Sequence, residues 1–210
     1  MRFLSYDGIL AQVIRYVWGL FLLNVCFVLV SLPIVTIGPA ITAVYAFLLD
    51  EQQEGNMLGR FFRGLGKNFR QAFVIGLIFL AGAAVLLADW YFLLFYEFAG
   101  REILRIVTVV LTVVYLCIAS FAFPLQAKFD NPVGVTLKNA VILGLFRPGS
   151  SLLMSFVTVF PALLFMTDLD VFVYILSIWL PLGFALQMQV NALIVNRAFR
   201  KLQAQPQEAE

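Results

Sequence analysis

The sequence predicts an all-α protein, a polytopic helical membrane bundle. Five full spans are expected, plus a short or half span after a Pro-Gly-Pro break, with cytoplasmic interfacial amphipathic helices. The first observation behind this is composition. Of 210 residues, 62% are hydrophobic and 12% charged, against roughly 45–50% and about 25% in a soluble domain. The second is where the charge lies. Stretches 16–49, 71–88, 106–127, 148–167 and 171–196 contain no Asp, Glu, Lys or Arg, and a helix crossing hydrocarbon needs about 20 apolar residues. The third is that proline and glycine interrupt the longest of these stretches. Together they exclude a soluble globular domain, a disordered chain and a secreted disulfide scaffold. Residues 1–196 read as a single transmembrane domain and 197–210 as a polar cytoplasmic tail.

The same composition narrows the chemistry. Histidine is absent, so no His-based proton relay, metal site or Ser–His triad can be built. Cys26 and Cys117 lie inside apolar runs and act there as small hydrophobes. The net charge of +2 is too small to imply nucleic acid. No catalytic, cofactor or metal residue is assigned, and an enzyme is not expected. The first apolar run exceeds a signal-peptide core of about 7–15 residues and reads as a retained helix.

Residues 1–15 predict an interfacial lead-in helix, with Tyr6, Ile9, Leu10, Val13 and Ile14 on one face and Asp7 as N-cap. The first span is expected from Val17 to Ile37, with Asn24 and Ser31 on one face. Pro33, Gly38 and Pro39 then break the helix and permit a sharp turn. A short apolar helix from Pro39 to Leu49 covers about half the hydrocarbon thickness and is expected to return toward its own side. Such broken backbone must be buried in protein or line a cavity.

Between Asn56 and Arg70, Leu58, Phe61, Phe62, Leu65 and Phe69 recur at helical spacing. Arg60, Arg63, Lys67 and Arg70 fall on the opposed face. That pattern predicts a basic amphipathic helix in the headgroup plane, anchored on anionic lipid or facing a partner. The second full span is expected from Gln71 to Phe95, with Asp89 at headgroup depth beside Trp90 and Tyr91. The third runs from Ile106 to Leu125, where Thr108, Thr112 and Tyr115 form a packing stripe. Asp130, Asn131 and Pro132 start a second interfacial helix reaching Phe146. The fourth span, Ser151 to Met166, contains Pro161. An acidic turn with Asp168 and Asp170 leads to the fifth, Val171 to Val195, which carries Pro181, Gln187, Gln189 and Asn191.

Lys and Arg in short loops mark the cytoplasm. They gather in 50–70, in 126–147 and after Asn196, and are absent or balanced by acids in 96–105 and 167–170. This alternation predicts cytoplasmic N- and C-termini.

The string Ser31-Leu32-Pro33-Ile34-Val35-Thr36-Ile37-Gly38-Pro39-Ala40, following a helix with Asn24, resembles the signature of the YesL-like family of bacterial membrane proteins. Phe61-Phe62, Lys67-Asn68-Phe69-Arg70-Gln71, Pro124-Leu125, Lys138-Asn139-Ala140, Asn191-Ala192 and Asn196-Arg197 extend that resemblance over nearly the whole chain. The family has no established activity, so the resemblance implies no catalytic residues. It implies a multi-pass protein of the bacterial cell membrane, associated by genomic neighbourhood with ATP-driven carbohydrate importers.

Two functions are therefore expected. One is an accessory scaffold or regulator of carbohydrate uptake, whose partners are the lipid bilayer, importer subunits or a second copy of itself. The other is a sugar or small-solute permease component, with Asn24, Thr36, Gln187 and Asn191 converging on one polar cavity.

Overall fold

A computed structural model of the chain describes residues 9–50, 55–164, 173–174, 176–177 and 179–204. The expectations for Tyr6 and Asp7 and for the acidic turn at Asp168 and Asp170 lie outside these residues. Helix α1 spans Ile9–Ser31 and α2 spans Ile37–Leu48, joined through a 3-10 turn at Ile34–Thr36. Next come α3 (Met57–Phe95), α4 (Arg101–Lys128), α5 (Val133–Phe146) and α6 (Pro148–Leu164). A π-helical turn at Trp179–Gly183 leads into α7, Phe184–Ala204.

Among the described residues, three helices are long and apolar enough to cross a membrane, within α1, α3 and α4. A fourth crossing exists if α5 and α6, bent by 101° at their junction, count as one broken span. Of the five full spans expected, the fourth, Ser151 to Met166, coincides with α6 as far as Leu164, and the fifth, Val171 to Val195, lies in part outside the described residues. The outer surface is apolar: Val85, Leu87, Ile106 and Val110 are all more than half exposed. An apolar exterior of this extent suits lipid and not water.

Among the described residues, two expected interfacial helices are not separate elements. The basic segment before Arg70 continues without a break into the span, giving one helix of 39 residues, about 58 Å long. No proline or unpaired backbone group separates the two pieces, so the hydrogen-bond ladder runs through. The lead-in segment likewise merges into α1 from Ile9. At the other end, α7 continues through Arg197 to Ala204, into the stretch read as a polar tail.

Helices α2 and α3 run antiparallel with their backbones almost touching. A methyl group on Gly38 would lie 2.6 Å from the Ala72 carbonyl oxygen and 2.7 Å from Gly76 Cα. Gly64, Asn68, Ala72 and Gly76 recur every fourth residue, so they form a groove of small side chains along α3. Gly38 and Pro39 are therefore not the corner of the hairpin. The chain turns at Leu32 to Thr36, and Gly38 and Pro39 occupy the first turn of α2, where proline is tolerated. Because Gly38 meets Gly76 midway along α3, the α1–α2 corner lies beside the middle of that helix.

Helices α3 and α4 are also antiparallel. The expected stripe on α4 faces α3: Trp90 Nε1 donates to Thr112 Oγ1 at 3.1 Å, and the Tyr115 hydroxyl donates to the Phe79 carbonyl at 2.7 Å. Lys67 pairs with Asp130 at 2.9 Å, and Lys128 Nζ donates to Asn196 Oδ1 at 3.4 Å. These contacts bring the start of α3, the end of α4 and the end of α7 to one basic end of the bundle. Asp130 is thus an ion-pair partner, and Pro132 takes the N-cap position of α5.

Candidate functional site

Three side chains that the sequence marks as polar or small close breaks in the helical backbone. Asn24 is fully buried. Its Nδ2 donates to the Leu180 carbonyl at 2.6 Å, and its Oδ1 accepts from the Ala185 amide at 2.8 Å. Those two backbone groups stand five residues apart, the pair that a π turn would join directly. The amide of Asn24 is inserted between them. Pro181, which lacks an N–H, lies within this turn. Thr36 Oγ1 donates to the carbonyls of Val30 and Pro33, ending α1. Ser151 is buried, and its Oγ donates to Gly144 and Arg147 carbonyls at 2.7 and 2.9 Å, closing the bend between α5 and α6. At membrane depth such groups have no water to turn to, so a protein partner is required.

The expected cavity accordingly divides. A pocket of about 420 Å³ lies between α1, α2, α4, α6 and α7. Gln187 and Asn191 line it; Asn24 and Thr36 do not. Sharing a helix with Gln187 and Asn191 was not required of Asn24 or Thr36, and both are consumed by backbone groups elsewhere. Thr158 of α6 is the hub on the opposite wall. Its carbonyl accepts from Gln187 Nε2 at 3.2 Å, and its Oγ1 accepts from Asn191 Nδ2 at 3.1 Å. Asn191 Oδ1 is buried without a hydrogen-bond donor, close to the buried Tyr45. Phe27, Tyr45, Tyr115, Phe123, Trp179 and Phe184 supply aromatic walls.

Among the described residues no Asp, Glu, Lys or Arg lines this pocket. Its size falls in the range of about 300–1,000 Å³ used by small ligands, and its few polar groups are amides and hydroxyls. Such a lining suits a neutral molecule with an apolar face and one or two hydrogen-bonding groups. Thr158, Tyr45 and Trp179 were missed in the sequence. Trp179 had one signal: Gly183 stands four residues later, and any Cβ there would overlap the indole, 2.3 Å from Cδ2.

The expected basic face also divides. Arg60 turns inward, with its side chain 12% exposed and Nε 3.1 Å from Asp50 Oδ2. Its guanidinium donates to the Phe47 carbonyl at 3.1 Å and stacks 4.2 Å from the Phe47 ring centre. It clamps the end of α2 to α3 and is lost to any lipid or partner surface. Lys67 is engaged with Asp130. Arg63 and Arg70 remain exposed.

The fold and these sites define a helical membrane protein with a neutral internal pocket and one basic end. Residues 20–90 match a family described as protein of unknown function, DUF624. The match covers α3 up to Trp90 and the hairpin of α1 and α2 from Leu20. No curated protein and no solved structure matches the chain.

Proposed function

We propose that this protein is a multi-pass component of a bacterial cell membrane that acts as an accessory scaffold or regulator of carbohydrate uptake. It is not an enzyme in this reading. The observation that carries the reading is the closure of three backbone breaks by buried or part-buried side chains: Asn24 at the π turn, Thr36 at the first corner, Ser151 at the bend between α5 and α6. Gates built on broken helices must exchange such bonds as they move, whereas a scaffold keeps them. The link to carbohydrate rests on the resemblance to the YesL-like family. Arg60 to Arg70, Lys128 and Arg197 share one end of the bundle, which supports a cytoplasmic assignment for that end and for both termini.

Affinity purification of the tagged protein from its native membrane tests the proposal. Subunits of an ATP-driven carbohydrate importer are expected to co-purify. Their absence, together with unchanged growth of a deletion strain on every oligosaccharide, would overturn it. Orientation is tested separately by a cysteine at Ser5, which should resist an impermeant thiol reagent in intact cells.

A permease in its own right is the second reading, favoured by the aromatic and amide lining of the 420 Å³ pocket. Flux of a labelled neutral oligosaccharide into liposomes, lost on Asn191→Leu, would replace the first reading with this one.

A further inference from the structure

A second pocket, of about 540 Å³, opens at the basic end between the start of α6 and the last turns of α7. Arg147, Arg197 and Arg200 line it, with Leu153 and Ile194 forming an apolar wall. Arg197 and Arg200 are three residues apart and so share one face of α7. Among the described residues no carboxylate pairs with any of the three.

The helix end that closes the pocket is uncapped. Helix α6 begins at Pro148 after Arg147, and Ser151 is the first residue whose N–H finds a carbonyl, that of Arg147 at 3.1 Å. The N–H groups of Gly149 and Ser150, which also line the pocket, donate to nothing among the described residues. An acceptor such as Ser, Thr, Asp or Asn normally precedes a helix. Here an arginine stands in that place, its cation at the positive end of the helix dipole, an unfavourable arrangement on its own. Three guanidinium groups and two free amides therefore surround one space, with no carboxylate among the described lining residues.

We infer that this pocket binds a phosphate group, held by Arg147, Arg197 and Arg200 and by the Gly149 and Ser150 amides. An anion at that position supplies the missing helix cap and separates the three cations electrostatically. Arginine suits it because the guanidinium fork meets two phosphate oxygens at once. The apolar wall of Leu153, which is half exposed, and Ile194 favours the phosphodiester of an anionic membrane lipid as its source. A free phosphate ion would use the same donors. The inference does not depend on the proposed link to carbohydrate.

Native mass spectrometry of the full-length protein in detergent tests this with phosphatidylglycerol and phosphatidylcholine as probes. Phosphatidylglycerol is expected to be retained over phosphatidylcholine, whose choline cation the three arginines repel, by about tenfold, the effect of one charge-assisted hydrogen bond. Retention should fall by a similar factor in Arg147→Gln/Arg197→Gln and stay unchanged in Arg63→Gln/Arg70→Gln. Competition with millimolar inorganic phosphate separates the sources. An undisturbed lipid adduct assigns the site to lipid, and a displaced one assigns it to free phosphate. Equal retention of the two lipids by the wild type, with no phosphate competition, would overturn the inference, and that comparison needs no variant to fold. A loss as large in Arg63→Gln/Arg70→Gln as in the pocket variant would overturn it too.

Discussion

Helices α2 and α3 touch backbone to backbone, while α6 and α7 stand apart around a pocket and meet through side-chain hydrogen bonds. The first contact uses Gly38, Gly64, Ala72 and Gly76; the second uses Thr158, Gln187 and Asn191. Lipid offers apolar side chains nothing worse than a protein core does, so burial alone cannot drive helices together in a membrane. What remains is close packing where side chains are small, and hydrogen bonding where they are not. The first region therefore tolerates no added volume, and the second tolerates no lost polar atom. The hairpin and α3 form the part that the family match covers, and the neutral pocket belongs largely to the rest.

The contrast can be broken most severely at Gly38. A leucine there collides with Ala72 and Gly76 backbone, which no rotamer relieves. Gly38→Leu should cost more than about 3 kcal/mol, the upper end for overpacking, and abolish the monodisperse peak in size-exclusion chromatography. Asn24→Leu should come next. It leaves Leu180 O and Ala185 N–H unpaired, at about 1–3 kcal/mol for each buried group. Faster hydrogen exchange at Ala185, with α2–α3 amides still protected, would show that the damage stays in the second region. Equal loss of protection in both would merge them into one cooperative unit.

Smaller effects sharpen the picture at the edge of the first region. Arg60→Ala removes the Asp50 ion pair and the Phe47 contacts and should lower stability by about 1–2 kcal/mol, summed from an ion pair and a cation–π contact. Lys67→Gln, which breaks only an exposed pair, should change stability by less than about 0.5 kcal/mol. Thermal unfolding of the two variants side by side distinguishes a clamp from a surface charge. Gly66→Ala should act in the opposite sense. Nothing lies within 4 Å of a Cβ there, so alanine should stabilise α3 by about 0.5–1 kcal/mol through helix propensity.

The helical membrane character was legible because it depends on run length and charge, which local sequence states directly. The short helix after Pro33 was close to its observed bounds for the same reason: proline and threonine end α1 through bonds within six residues. The groove on α3 was also written in the sequence, at 64, 68, 72 and 76, but nothing near those positions says that Gly38 packs into it. Arg60 was misassigned because periodicity gives a face, and a face does not say which neighbour covers it. Thr158, 33 residues before Asn191 in the chain, had no local signal at all.

By itself, the sequence determined that this chain is helical and that it has helices fit to cross a membrane. Those outcomes follow from apolar length and from the spacing of charge, both properties of a few adjacent residues. Tertiary structure alone decided what each break and each polar side chain is for. Asn24 could have faced the pocket or closed the π turn, and it closes the turn because Leu180 and Ala185, 156 and 161 residues away, leave a carbonyl and an amide that nothing else in that environment can satisfy.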